Sequence, residues 1–299
     1  MPGWPTKSKI EQIAPTPFAP VKTEQTALPA IAGNGLVNET IMLYGKSKVG
    51  KTFAACSVID HVLKQDPSTM IFYVCTDNQL IQTFNQYFGE RSDEVRKHLT
   101  IYNVYEFKMT TTPLFSQISQ MFHDIRKLSG RNKKNWLIVD LADKFWRWAQ
   151  AEWIDQSAPQ NTATTYMSDA AKDLKKFMEF SHSQWQFIQR LDNMATFDVV
   201  ENPPCNLLYI FGEKEMEVIE DKPAEGAARE VADIFALVGC KPEGQKKLPY
   251  AFSTIVYLLG TKDKKFFVLG DRGYPLEYTE KSYGRNWYAS FLADRKKER

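Results

Sequence analysis

The clearest chemical signal in this chain is a short motif rich in glycine and lysine. Residues 45–52 read Gly-Lys-Ser-Lys-Val-Gly-Lys-Thr and fit the G-x-x-x-x-G-K-[ST] pattern of the phosphate-binding P-loop. Gly45 and Gly50 let the backbone curl so that its N–H groups point inward at phosphate oxygens. Lys51 is expected to reach the β- and γ-phosphates of ATP, and the Thr52 hydroxyl is expected to bind Mg²⁺.

The segments on either side of this motif have the order that a phosphate cradle needs. The apolar run 41–44 predicts a strand, and residues 52–63 are compatible with a helix whose positive N-terminal end favours bound phosphate. A chance turn rich in Gly and Lys is the alternative. The predicted nucleotide-binding residues are Gly45, Lys46, Ser47, Lys48, Val49, Gly50, Lys51, Thr52 and Phe53.

A second motif ends in a carboxylate. Residues 136–140 read WLIVD, an apolar strand that would place Asp140 beside the cradle, where it can hold Mg²⁺ together with Thr52. A strand-terminal Asp that only caps a loop is the alternative. Asp140 is followed by Leu141, so the Asp-Glu pair of AAA+ machines is missing. The group that positions the attacking water must then come from elsewhere in the chain.

Alternating strand and helix patterns predict an α/β fold with a mostly parallel sheet. The candidate strands are 40–44, 70–76, 99–105, 136–140 and 206–211, and the candidate helices are 52–64, 78–88, 114–129, 144–153 and 168–195. Two late runs, 253–259 and 265–269, predict an antiparallel hairpin added to the sheet. The 299 residues divide into a Pro-rich extended arm (1–33), one large domain (34–285) and a basic tail (286–299).

Four segments together resemble RecA-like P-loop ATPases, and more closely the phage-encoded nucleotide-binding or single-strand-annealing proteins of that type. These segments are 44–52, 136–140, the strand and polar loop 206–214, and the stretch from Val231 through the hairpin to Gly273. The resemblance implies a RecA-like fold. It also implies an ATPase that assembles with copies of itself into a ring or filament and acts on DNA in recombination, annealing or replication.

The resemblance also implies roles for three further residues. Asp77, at the end of the second strand, stands where the family carries a water-positioning Glu; a helix N-cap is the alternative. Arg272 stands in the family's Lys-x-Arg pattern, but Gly270 replaces the lysine. Arg272 would reach the neighbouring subunit's γ-phosphate, or else anchor a turn. Lys214 is a candidate γ-phosphate sensor.

Single-stranded DNA is the expected further partner, through two loops, 155–168 and 213–230. The first loop is polar, whereas the second is acidic and would repel phosphate. Aromatic residues at 145–153 could stack on bases, but their helical spacing favours core packing. The better basic candidates for nucleic acid are Lys262, Lys264, Lys265, Arg295, Lys296, Lys297 and Arg299.

Bulk properties exclude several other classes. The net charge is only +2, no apolar run is long enough to cross a membrane, and the four cysteines and four histidines lack metal-ligand spacing. A reducing cytoplasm is therefore expected. Three alternatives remain: a nucleotide-dependent scaffold or switch with little hydrolysis, a small-molecule kinase, and a ParA-like partitioning ATPase. Lys46 favours the ParA type, but Ser47-Lys48 stands where that group needs Gly-Gly.

Overall fold

The computed structural model describes most of the chain after the N-terminal arm. The described residues are 38–77, 79–107, 113–130, 132–157, 182–216, 235, 238–260, 265–271, 281–282 and 287–297. They all belong to one compact unit, which begins at Asn38. The predicted arm 1–33 and the predicted residue Arg272 lie outside the described residues.

A single large sheet forms the centre of this unit. Its strands are β1 (Thr40–Gly45), β2 (Ile71–Cys75), β3 (Leu99–Asn103), β4 (Trp136–Asp140), β5 (Asn206–Phe211), β8 (Thr254–Leu259), β9 (Lys265–Asp271) and β10 (Lys281–Ser282). The strand order is β10-β9-β8-β1-β5-β4-β2-β3. From β8 to β3 all neighbours are parallel, whereas β9 and β10 join antiparallel. The predicted α/β class, the mostly parallel sheet and the late hairpin are therefore confirmed.

Helices cover both faces of the sheet. They are α1 (Lys51–Gln65), α2 (Leu80–Phe88), α3 (Ser92–Arg96), α4 (Val104–Phe107), α5 (Leu114–Ser129), α6 (Asp143–Ser157), α7 (His182–Ala195), α8 (Phe197–Glu201) and α9 (Trp287–Lys297). Within β1, Ile41 and Leu43 pack on the side of α1, α2 and α9, while Met42 and Tyr44 pack on the side of α5, α6 and α7. Burial on both faces explains why the parallel strands read as continuous apolar runs.

Three sequence predictions need correction. The predicted strand 99–105 ends at Asn103, because the Asn103 side chain accepts the N–H of Tyr105 and starts α4. Residues 155–157 of the predicted loop 155–168 belong to α6, which continues to Ser157, and the rest of that predicted loop lies outside the described residues. The predicted loop 213–230 begins as a strand, β6 (Glu213–Glu215), which pairs antiparallel with β7 (Cys240–Pro242).

The region predicted to be a basic tail contains the helix α9. Its Trp287 side chain is 1% exposed and lies stacked on Phe266. The Trp287 indole N–H donates a 2.9 Å hydrogen bond to the carbonyl of Ala54 in α1. Helix α9 therefore packs on the helix that follows the predicted phosphate cradle.

Candidate phosphate and magnesium site

The predicted cradle connects the end of β1 to the start of α1. Two of its residues have left-handed backbone conformations: Lys48 with φ 65° and Gly50 with φ 93°. Such angles curl the chain tightly, and Gly50 adopts its angle without the steric cost that a side chain brings. Lys51 is the first residue of α1, so the cradle leads directly into the positive end of a 15-residue helix.

Two glycines let the cradle lie close against the neighbouring strand β8. A Cβ added at Gly45 would come within 2.5 Å of the Leu258 carbonyl oxygen. A Cβ added at Gly260, just after β8, would come within 2.2 Å of the Val49 Cγ1 atom and 2.7 Å of its Cβ. Gly45 is part of the motif, whereas no sequence pattern pointed to Gly260.

Lys51 turns its ammonium group back over the cradle. The side chain is buried, and its Nζ donates hydrogen bonds to the carbonyls of Gly45 (2.8 Å) and Lys46 (2.6 Å). Burial lowers the pKa of Lys51, and nearby carboxylates, of which Asp140 acts most strongly, counter that effect. A cation held inside the loop is the arrangement that phosphate binding needs.

Thr52 and Asp140 meet across the site. The Thr52 hydroxyl donates a 2.7 Å hydrogen bond to Asp140 Oδ2, and the Tyr73 hydroxyl donates a second one of 2.8 Å. Asp140 is 3% exposed, and burial raises its pKa to about 6. Its other oxygen, Oδ1, is buried with no hydrogen-bond partner among the described residues.

These groups fit Mg²⁺. A buried carboxylate oxygen without a partner, beside a threonine hydroxyl, is a hard oxygen donor set of the kind that Mg²⁺ prefers. No group of three or more His, Cys, Asp or Glu side chains within the described ranges is arranged to hold a metal ion by itself. A Mg²⁺ ion here would therefore take most of its ligands from phosphates and water, as is usual for this ion.

Asp77 lies near the site but is held by the backbone. It follows β2, whose last residue Cys75 is in register with Asp140. The Asp77 carboxylate accepts the N–H of Gln79 at 3.2 Å, in the turn that leads into α2. This contact holds Asp77 in the turn before α2, whose N-cap is Gln79, and Asp77 remains close enough for its charge to act on Lys51.

Two further carboxylates surround Lys51 that the sequence did not single out, Asp143 and Glu213. Both act on the pKa of Lys51, and both rank ahead of Asp77 in that effect. Asp143, the first residue of α6, is 3% exposed and accepts the N–H of Gly212 at 2.9 Å. Burial raises the pKa of Asp143. Its position three residues after Asp140 was the only sequence signal for it.

Glu213 lies at the start of β6, where the chain leaves the sheet. Its side chain is 9% exposed, with Oε1 at 3.9 Å from Lys46 Nζ. Its Oε2 is 3.7 Å from Cys240 Sγ in the partner strand β7. The sequence could not indicate this burial, because it depends on the pairing of two three-residue strands. The predicted sensor Lys214 is exposed on the same strand.

The remaining predicted cradle residues have different surroundings. Ser47 is exposed, and Val49 is packed against the core on the α1 side of the sheet. The Phe53 ring packs against Tyr87, with ring centroids 4.7 Å apart. The Phe53 side chain is thus part of the packing between α1 and α2.

The aromatic residues considered for base stacking are packing residues. Phe145 and Trp148 are buried in the core. Trp146 stacks on Trp185 of α7 with centroids 6.0 Å apart. The interpretation as helix packing is therefore confirmed for this group. Residues 158–181, which include the start of the predicted helix 168–195, lie outside the described residues, as do Lys262 and Lys264.

Comparison with known proteins does not assign the chain to a family. No known family has a sequence profile that matches it, and no curated protein shows significant sequence similarity to it. In the part of the chain that the structure describes, every helix is too short or too polar to cross a bilayer. The function must therefore be argued from the site itself.

Proposed function

We propose that this protein binds MgATP in the loop between β1 and α1 and hydrolyses it. The observation that carries the proposal is the 2.7 Å hydrogen bond between Thr52 and Asp140. It brings the end of the second predicted motif against the end of the first, across 88 residues of sequence. A chance match to either motif would have no reason to create this contact.

Each residue has a distinct role in the proposed reaction. Lys51 exchanges two neutral carbonyls for the β- and γ-phosphate oxygens, which are charged and therefore stronger acceptors. Thr52 and Asp140 hold the metal site. Mg²⁺ bound there neutralises charge that develops on the phosphates. One of the carboxylates around the cradle must orient the attacking water.

We further propose that the fold is of the RecA-like type. The parallel sheet supports it, because the strand before the cradle, β1, and the strand that ends in Asp140, β4, follow in the motif order of that resemblance and lie in the same sheet with β5 between them. By the same resemblance, copies of the chain assemble so that Arg272 of one subunit completes the site of the next, and the assembly acts on DNA. This part of the proposal rests on the resemblance and on the motif order.

Phosphate release and particle size test this function together. Both are measured with ATP and Mg²⁺, in the presence and absence of single-stranded DNA. The proposal predicts phosphate release above background, larger particles with ATP, and a change in one of the two on adding DNA. If DNA leaves both unchanged, the DNA-acting function is wrong while the ATPase assignment stands.

A nucleotide-dependent scaffold or switch is the second candidate. The hydrogen bond from Gln79 to Asp77 favours it, because a carboxylate engaged by the backbone is less free to orient water. This candidate predicts tight MgATP binding with little phosphate release. The same two assays separate it from the ATPase.

A further inference from the structure

A further carboxylate, that of Glu213, lies beside the cradle, 3.9 Å from the ammonium group of Lys46. Strand β5 lies between the two strands of the site, with Phe211 in register with Tyr44 of β1 and Ile210 in register with Asp140 of β4. The chain leaves β5 through Gly212 and enters β6 at Glu213. Glu213 therefore lies at the carboxyl ends of the central parallel strands, where the cradle and the predicted metal site meet.

The Glu213 side chain is held against the cradle instead of reaching into solvent. Only 9% of it is exposed, although Lys46, its nearest cation, is 68% exposed. The Lys46–Glu213 separation of 3.9 Å is long for an ion pair. The carboxylate also accepts a weak hydrogen bond from the Cys240 thiol, 3.7 Å from Oε2, and one from the Tyr257 hydroxyl. A buried carboxylate with such partners keeps capacity to accept a hydrogen bond from water.

The competing carboxylates are occupied by structural contacts. Asp140 is the proposed metal residue: its Oδ2 accepts two hydroxyl hydrogen bonds, and its Oδ1, unpartnered in the described part of the chain, is the oxygen assigned to Mg²⁺. Asp143 accepts the N–H of Gly212 and lies 3.9 Å from the Arg147 guanidinium. Asp77 accepts the N–H of Gln79. Among the described residues, neither a backbone amide nor an arginine is paired with the carboxylate of Glu213 in this way.

We propose that Glu213 is the general base of ATP hydrolysis at this site, an inference that rests on the proposed function. Its carboxylate accepts a proton from the attacking water as the new bond from the water oxygen to the γ-phosphorus forms. The bond between the γ-phosphorus and the β–γ bridging oxygen breaks, and ADP leaves with that electron pair. The proton then passes from Glu213 to solvent or phosphate. Asp77, the residue that the resemblance indicates, is instead held in the turn before α2 by the N–H of Gln79.

Substitution of Glu213 by Gln in the full chain tests this assignment. Gln keeps the size and hydrogen-bonding capacity of the side chain but cannot take up a proton. The E213Q variant should bind MgATP within about threefold of wild type, while the turnover rate falls roughly 100-fold or more, which is the usual contribution of a general base. The E213D variant keeps the charge but shortens the side chain, so its rate should lie between the two.

Two comparison variants make the result decisive. E215Q changes an exposed residue on the same strand and should keep wild-type turnover. D77N removes the rival carboxylate. A thermal melt of each variant separates loss of folding from loss of chemistry. If E213Q does not fold, the E213D variant decides the question. Wild-type turnover in E213D would then overturn the assignment.

Each other outcome also decides between the proposals. Turnover of E213Q within about fivefold of wild type would overturn the role of Glu213, and so would a 100-fold loss in D77N with none in E213Q. Wild-type protein that binds MgATP but releases no phosphate, with or without single-stranded DNA, would overturn it as well. A wild-type chain that binds no MgATP would instead refute the proposed function itself.

Discussion

The Thr52 hydroxyl donates a hydrogen bond to the buried carboxylate of Asp140, 2.7 Å away. Thr52 is held at the start of α1 by the cradle, and Asp140 is held at the end of β4 by pairing with β2 and β5. The contact therefore fixes the spacing between the predicted phosphate cradle and the predicted metal ligand. Burial raises the pKa of Asp140 to about 6, so a nearby cation would stabilise its ionised form.

Asp140→Asn should remove the advantage that Mg²⁺ gives to ATP binding. For the wild type, we expect ATP to bind roughly tenfold or more tightly, by about 1.4 kcal/mol, when Mg²⁺ replaces EDTA. In D140N this difference should fall below about threefold, because an amide is a poor ligand for Mg²⁺. Nucleotide titrations in Mg²⁺ and in EDTA measure it.

The exposed Asp93, whose side chain is 93% exposed, provides the matched control. D93N should keep the full Mg²⁺ effect. The D140N chain should also keep at least wild-type stability, because the ionised Asp140 is costly to bury. An undiminished Mg²⁺ effect in D140N would show that Asp140 does not hold the metal.

Gly260→Ala should deform the cradle although Gly260 lies outside the motif. Its new Cβ would overlap the Cγ1 and Cβ atoms of Val49 at 2.2 and 2.7 Å, so the loop backbone must move. We expect MgATP affinity to fall by roughly tenfold or more, about 1.4 kcal/mol. In Gly270→Ala the nearest atom is 3.8 Å away, an ordinary contact, so affinity should not change. Equal affinities in both variants would contradict the close fit described for Val49.

Asp192→Asn should stabilise the protein at neutral pH. Asp192 is 1% exposed in α7, and burial raises its pKa to about 6. The folded chain then binds the Asp192 proton more tightly than the unfolded chain does, so stability is lost as the pH rises from about 4 to 6. Asn can still accept the hydrogen bonds from Gln245 and Thr196. The gain in the free energy of unfolding should approach about 1–3 kcal/mol at pH 7.5.

Denaturant unfolding at several pH values measures this gain. It should grow between pH 4 and pH 7, and the variant should keep part of the wild-type pH dependence, because Asp140 and Asp143 also have raised pKa values. Asp198→Asn, at an exposed position in the next helix, should have little effect. A D192N chain less stable than wild type at pH 7.5 would contradict the cost assigned to the buried carboxylate.

Sequence alone predicted the parts of the fold that depend on strong local patterns. Strands 136–140 and 206–211 were correct at both ends, because a fully buried strand is a continuous apolar run. The start of α4 was missed because one Asn103 hydrogen bond decided it. The docking of α9 was missed because it depends on how Trp287 fits against Phe266 and Ala54, which are far away in sequence.

In the candidate site, too, short sequence motifs could be predicted and contacts between distant segments could not. The cradle, Thr52 and Asp140 could be predicted because their spacing follows from phosphate and metal chemistry. Glu213 could not, since its burial requires β6 to pair with β7, and charged three-residue strands carry no readable periodicity. The packing of Phe53 against Tyr87 was likewise a matter of tertiary contact.

Equilibrium binding of MgATP to wild-type protein and to Lys51→Ala tests the central claim most directly. Lys51 is buried in the cradle, whereas Lys127 is exposed in α5, so K127A is the matched control. The account predicts micromolar or tighter binding, about −8 kcal/mol or better, for wild type and K127A, and a loss of at least about 100-fold in a K51A chain that remains folded. Equal MgATP affinity in K51A and wild type, or no MgATP binding by the wild type, would contradict it.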